Sequence, residues 1–282
     1  MTPAEFAAYC QRLGLSQPPP ASPDGMAQVL AAHRQAIPFE NLAIPLGEGV
    51  RIDSASVHAK LVSARRGGYC FEQNRLFADG LAALGLPSRP LLARVRLGLA
   101  EGQTPPRTHV LLLVDCGGEP LIADAGFGGA FVPPLPLRHG AGAQTPDGAA
   151  HRLTRREGGD PLGGEWLLER AGPSAATDGR AIAGSGWQPQ YSFDLAPIAP
   201  EDLEQANHWT ATRPGTRFTT LRVVSRVLPT GFAALTDRSL TLYESGAAAT
   251  REIADLADYA ATLREVFALE LAEAELARLG LF

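Results

Sequence analysis

Val110 to Val114 is a continuous apolar run, Asp115 to Pro120 carries turn chemistry with two glycines, and Leu121 to Ala123 is apolar again. A run that short and that apolar reads as a buried strand, and turn residues between two such runs fold them into an antiparallel hairpin. The hairpin ties together whatever flanks it. His109 stands directly before the first strand and Asp124 directly after the second. With a two-residue loop at Cys116-Gly117, Val114 pairs with Glu119 and His109 falls opposite Asp124, since both pairs sum to 233. With the loop at Gly117-Gly118 the partners shift by two and the residues become diagonal neighbours. Both registers put the two side chains on one face, whereas a three-residue loop would separate them.

Helical patterning precedes this hairpin. Pro3 to Phe6 opens a short helix with Thr2 as its cap, and Pro18-Pro19-Pro20 breaks it. Asp24 to Gln35 places Met26, Val29 and Leu30 at helical spacing. A third helix begins near Gly68 and ends at Gly85, with Phe77, Leu81 and Leu84 as its buried stripe. Strands are predicted at Pro90 to Leu99, Glu165 to Glu169, Gln190 to Leu195, Thr219 to Val227 and Ala233 to Tyr243. Gly140 to Ala150 and Glu157 to Gly164 read as loops, and Asp255 to Leu279 as a helix.

A chain of 282 residues is long for one core, so two or three packed subdomains are expected. Net charge is -5, and Arg65-Arg66 is the only dense basic pair, which speaks against nucleic acid as a partner. Met1 to Arg12 carries Glu5 and lacks a continuous apolar stretch, so it does not read as a signal peptide. No uninterrupted apolar window of about 18 residues exists, so no membrane partner is expected. Three cysteines, Cys10, Cys70 and Cys116, make no disulfide framework and point to a reducing cytoplasm. His33, His58, His139, His151 and His208 show no metal-ligand spacing, so no metal is expected.

Cys70 lies in the segment Arg66 to Asn74, where Gly67 and Gly68 precede the third helix. A cysteine at a helix N-terminus meets unpaired N–H groups and the positive end of the macrodipole, which favours thiolate. The two glycines allow a tight turn and close approach to the sulfur. Taken singly, each residue has an ordinary explanation: a small buried cysteine, a strand-end histidine, an aspartate turn former. Taken together they supply a nucleophile, a base and a group that orients the base.

These segments resemble the arylamine N-acetyltransferase family. The resemblance rests on Ile37 to Leu42, Arg66 to Asn74, Thr108 to Val110 and Asp124 to Gly128, in that order, with Asn207 to Pro214 and Phe218 further on. It implies an α+β fold: a helical domain at 1–88, an antiparallel β-barrel domain at 89–198 and an α/β lid at 199–282. A papain-like triad of Cys70, His109 and Asp124 would sit where the first two meet. The implied activity is acetyl transfer from acetyl-CoA to an arylamine or arylhydrazine, through an acetyl-cysteine, with ping-pong kinetics. By the same resemblance, Thr108 would contact the pantetheine arm of CoA, and Gly126, Gly128 and Gly129 would meet its phosphates through backbone N–H groups. Phe39, Val95 and Phe127 would wall the acceptor pocket. Glu40 and Arg66 would form a supporting ion pair. Segment Ala211 to Pro214 departs from the family pattern, which leaves lid contacts to CoA open. Three rivals share the residues: an amide synthase of this fold fed by a carrier protein, a thiol hydrolase, and a non-catalytic scaffold.

Overall fold

The structure is a computed structural model that describes residues 1–99, 103–156, 165–184 and 186–282. The predicted loop at 157–164 lies outside the described residues.

The N-terminal part holds helices α1 (Pro3–Leu13), α2 (Pro23–Ala36), α3 (Ser54–His58) and α4 (Cys70–Ala83), with the two-residue strand β1 (Phe39–Glu40) between α2 and α3. The Thr2 hydroxyl accepts from the Glu5 N–H, and the Glu5 carboxylate accepts from the Thr2 N–H, a reciprocal cap that starts α1. Tyr9, Met26, Leu30, Leu61, Phe77 and Leu81 close one core beneath these helices. The short α3 and the π-helical turn after it, Ala59–Ser63, have no apolar periodicity long enough to announce them.

Eight strands form the first large sheet: β2 (Ser88–Val95), β3 (His109–Val114), β4 (Leu121–Ala123), β5 (Leu135–Pro136), β6 (Ala141–Gln144), β7 (Ala150–Arg155), β8 (Trp166–Ala171) and β9 (Gln188–Phe193). Their order is β5-β4-β3-β2-β9-β8-β7-β6, all antiparallel, and the end strands β5 and β6 approach each other, so the sheet is a nearly closed barrel. In the hairpin, Val114 pairs with Leu121 and Leu112 with Ala123. That is the register in which His109 and Asp124 are diagonal neighbours. The connection is longer than a two-residue loop: Asp115 to Pro120 lie outside the ladder, and the Asp115 carboxylate takes the Gly117 N–H instead. The predicted loop at Gly140 to Ala150 is corrected, because β6 and the start of β7 occupy it. Only Thr145 to Ala149 turns, and small residues gave β6 no strand signature.

Next come α5 (Pro200–Thr212) and α6 (Arg217–Thr220), then β10 (Val223–Leu228), β11 (Gly231–Thr236), β12 (Ser239–Glu244) and β13 (Ala247–Glu252), and finally α7 (Leu256–Phe267) and α8 (Glu273–Arg278). Sheet order is β1-β10-β11-β12-β13, so the N-terminal part lends this sheet its edge strand. Asn41 secures that junction. Its Nδ2 donates to the Phe218 and Leu221 carbonyls, and its Oδ1 accepts the Val223 N–H. Three expectations change here. The strand predicted at Ala233 to Tyr243 turns at Asp237-Arg238, so it becomes the antiparallel pair β11 and β12. The strand predicted from Thr219 starts at Val223, because Thr216 and Thr219 hydrogen-bond into a helical turn first. The helix predicted from Asp255 to Leu279 breaks at Ala268, which adopts φ 52°. Leu269 N–H then reaches back to the Leu263 carbonyl, and Leu269 packs in the core with Tyr259 and Phe267. Among the described residues no helix is long and apolar enough to cross a membrane.

Candidate active site

Cys70 is the first residue of α4. The loop before it is held by a fully buried chain of side chains. Gln73 Nε2 donates to the Pro38 and Gly68 carbonyls at 2.7 and 3.1 Å, which leaves Oε1 as an acceptor. His33 Nε2 must therefore carry the proton that Gln73 Oε1 receives, and His33 Nδ1 accepts from the Tyr9 hydroxyl at 2.7 Å. Burial drives the His33 pKa down to about 3, so the ring is neutral, as this pattern requires. The Glu72 carboxylate accepts the Tyr69 N–H at 3.1 Å and the Lys60 ammonium at 2.7 Å. A side chain on Gly67 or Gly68 would collide with the Pro38 carbonyl or with Glu72.

His109 opens β3 and Asp124 follows β4. The His109 Nε2 to Asp124 Oδ2 distance is 2.7 Å, and both residues are buried. Asp124 Oδ1 accepts from Asn74 Nδ2 at 3.0 Å and from the Gly126 N–H at 2.9 Å. Asn74 lies one turn after Cys70 on the same helix face, since i and i+4 stack. Its Nδ2 also donates to the Val110 carbonyl at 2.7 Å, and its Oδ1 accepts the Ala125 N–H at 2.9 Å. One amide thus joins the cysteine's helix to the histidine's strand and the aspartate's loop. From α2, the buried Arg34 guanidinium donates to the Ala125 and Phe127 carbonyls at 3.2 and 2.9 Å. The His109 ring packs against Phe127 and Tyr191, with centroids 5.4 and 5.0 Å apart.

The thiol meets the hairpin directly. Cys70 Sγ lies 3.7 Å from the carbonyl of Thr108, the neighbour of His109. Cys70, Thr108 and His109 line one cavity of about 190 Å³. Phe39, Val95 and Phe127, predicted as acceptor walls, line it too, as do Gly126 and Gly128. Gly129 is not among the lining residues.

Burial pushes the Cys70 thiol above its ordinary value, and the negative Asp124 adds to the rise. Backbone hydrogen bonds from Val110, Phe71 and Cys70 itself pull the other way and are outweighed. The helix N-terminus therefore acts in the direction expected from sequence but does not by itself make a thiolate. Burial also works to raise the Asp124 carboxyl. The charge and hydrogen bond of His109, with Asn74 and the Gly126 N–H, overcome it and hold Asp124 below the usual value.

The glycine-rich loop is shaped by close packing. A Cβ on Gly126 would stand 2.6 Å from the Cys70 Cα, and one on Gly128 would strike the Phe39 ring at 2.7 Å. The Gly126 N–H is already engaged by Asp124. Arg66 Nη2 lies 3.4 Å from Glu40 Oε1, with Glu40 fully buried, and Arg66 Nη1 lies 3.4 Å from Glu275. Cys10, Cys70 and Cys116 are all free thiols.

Sequence reasoning gave no role to Asn74, His33, Arg34, Asp178, Arg180 or Arg217. Gln73 and Asn74 stand within the segment that carries Cys70, and that adjacency was the one available signal. Arg34, Asp178 and Arg180 come from segments with no motif of their own, and Arg217 stands beside Phe218 in the last segment of the resemblance.

A family model described as N-acetyltransferase matches residues 24–276. The chain belongs to this N-acetyltransferase family. An arylamine N-acetyltransferase of Escherichia coli (strain K12) is 36% identical over 270 residues, covering 95% of this chain and 89% of that protein. The structure of an arylamine N-acetyltransferase from Salmonella typhimurium superposes with a TM-score of 0.87 at 34% identity and covers 100% of both chains. The Mycobacterium marinum arylamine N-acetyltransferase in complex with CoA gives 0.83 at 29% identity, over 97% of this chain and 98% of that one. The α+β architecture of helices, near-closed barrel and second sheet is thus that of the family.

Proposed function

We propose that this chain moves an acetyl group from acetyl-CoA to the nitrogen of an arylamine or arylhydrazine, through an acetyl-Cys70 intermediate. The observation that carries this reading is the buried His109–Asp124 pair, whose imidazole lines the same cavity as the thiol and whose carboxylate is clamped to the cysteine's own helix by Asn74. Because burial opposes a free thiolate, Cys70 loses its proton to a neighbouring base. His109 Nδ1 is the nitrogen available for it, since Nε2 is held by Asp124. Asp124 orients the ring and balances the imidazolium that forms.

The thiolate then attacks the thioester carbonyl, the sulfur of CoA leaves with a proton from His109, and Cys70 is acetylated. In the second half-reaction the amine attacks the acetyl carbonyl, His109 takes the amine proton, and the Cys70 sulfur leaves. Apolar walls at Phe39, Val95 and Phe127 suit a flat ring. Thr108, which lines the same cavity, is the proposed contact to the pantetheine arm, and the loop Gly126 to Gly129 the proposed contact to the CoA phosphates, though the Gly126 N–H is already taken by Asp124. Division at 1–88, 89–198 and 199–282 is the proposed domain plan. It is supported by separate cores beneath the first helices, within the barrel and under α7. A cytoplasmic location is proposed on the three free cysteines.

The test is intact mass after mixing with acetyl-CoA and no acceptor, beside Cys70→Ala. A single acetyl adduct on the wild type alone, discharged by an arylamine, is expected. No adduct, with the Cys70 thiol shown to be free, would overturn acetyl-CoA as donor and favour a carrier-bound acyl chain or an inactive scaffold. Equal discharge by water and amine would favour a hydrolase.

A further inference from the structure

Gln73 follows Cys70 on α4 but is not among the residues that line the cavity. Its amide joins the two stretches of backbone that lead into lining residues. Nε2 donates to the Pro38 carbonyl, directly before Phe39, and to the carbonyl of Gly68, which precedes Tyr69 and Cys70. Phe39 is an aromatic wall of the cavity and Cys70 supplies its thiol. The backbone bridge between the two stretches is a lone parallel one, Phe39 to Gly68. In it the Glu40 N–H donates to the Gly68 carbonyl at 3.0 Å and the Gly68 N–H to the Pro38 carbonyl at 3.4 Å. An amide keeps nearly the same shape when turned over, so its direction needs a separate cause. His33 supplies it. The His33 Nε2–H donates to Gln73 Oε1 at 2.5 Å, and the Tyr9 hydroxyl on Nδ1 keeps the ring proton on Nε2. Tyr9, His33 and Gln73 are all fully buried, so water replaces none of these bonds. The Tyr9 ring lies hard against α4, where a Cβ on Gly80 would stand 2.5 Å from it.

We infer that Gln73, directed by His33 and Tyr9, is a positioning residue that sets the aromatic seat at Phe39 against the acetylated thiol, and so governs the second half-reaction for acceptors that carry a ring. This rests on the acetyltransferase reading and adds positioning residues to it. Attack on the acetyl carbonyl needs the amine nitrogen held about 3–3.5 Å from it. For an arylamine that placement comes from the ring against its wall, so a shift of Phe39 relative to Cys70 spoils the approach. A nucleophile without a ring makes no use of Phe39 and is indifferent to the shift. Acetylation by acetyl-CoA uses Cys70 and His109, which Asn74 ties together independently of Gln73.

The test loads each protein with acetyl-CoA, reads the loading by intact mass, and then discharges acetyl-Cys70 with 4-methoxyaniline or with hydrazine. The ratio of the two second-order rate constants is the readout, and a smaller folded fraction cancels from it. Gln73→Met, similar in length and without a donor, should lower the methoxyaniline-to-hydrazine ratio at least about tenfold. His33→Leu should lower it in the same sense, and His33→Gln, whose amide still donates to Gln73, should restore most of it. The His33 variants carry the test if Gln73→Met does not fold. A ratio within about twofold of wild type in Gln73→Met and His33→Leu would overturn the role, even if both discharges slow together. Folded variants that fail to load would overturn it too, because the loss would then lie in the first half-reaction. Failure of the wild type to load would overturn the acetyltransferase reading instead.

Discussion

Replacing Asn74 with leucine keeps the branching of the side chain and removes every polar contact the amide makes. The Val110 carbonyl loses a 2.7 Å donor, Asp124 Oδ1 a 3.0 Å donor, and the Ala125 N–H its acceptor at 2.9 Å. Asp124 Oδ1 keeps the Gly126 N–H, but Ala125 N–H has no other acceptor among the described residues. A buried unpaired N–H costs about 1–3 kcal/mol and a lost bond to a charged acceptor about 1.5–3 kcal/mol. Together these give a destabilisation of about 2.5–6 kcal/mol, a large share of a typical domain's 5–15 kcal/mol. The catalytic consequence is separate. Without the amide, Asp124 holds His109 less firmly, and the same bond energy corresponds to roughly 10- to 150-fold slower acetylation of Cys70. Urea unfolding reads the first quantity, and single-turnover release of CoA without acceptor reads the second. Asn74→Leu acetylated within threefold of the wild-type rate would show that the clamp supports the fold alone. Unchanged stability as well would refute the hydrogen-bonding argument entirely.

In His109→Gln the thiol loses its base, so burial governs it: alkylation of Cys70 by iodoacetamide at pH 7 should slow at least about tenfold and recover only at alkaline pH. Equal rates in wild type and variant would refute the pairing. Arg66→Met removes the ion-pair partner of the fully buried Glu40 carboxylate, leaving it the Leu42 N–H and the charge of Lys60, and should cost up to about 3–5 kcal/mol by thermal or urea unfolding, whereas a loss under 1 kcal/mol would show the pair to be dispensable. Stability should also fall as pH drops from about 6.5 to about 4. His33 and His151, lowered by burial to about 3 and about 4, stay neutral in the folded chain while the unfolded chain binds their protons near 6.5. Each such proton contributes about 1.4 kcal/mol per pH unit. Urea midpoints that are flat between pH 7 and pH 5 would contradict this.

Read alone, the residues 109–124 gave the strand pair and placed His109 and Asp124 on one face, because alternation in a strand is a local rule that register arithmetic can follow. The helix starting near Cys70 was legible from its apolar stripe, and the family resemblance joined thiol to hairpin. That joining was beyond periodicity, since it runs through Asn74, Gln73, His33 and Arg34, each meeting a partner far along the chain. For Cys70 the sequence argued for a thiolate at a helix N-terminus, and only the depth of burial supplies the opposing push on the thiol. Breaks at Ala268 and before Val223, and the weak strand β6, depend on which neighbours are packed alongside. The same holds for the cation pair in the cavity. Arg180 lies in an unremarkable segment and Arg217 far along the chain beside Phe218, and folding alone brings them to one carboxylate in the cavity that holds the thiol. Local sequence sets what each segment prefers, but desolvation and long-range hydrogen bonding exist only once the segments meet, and these decided the site.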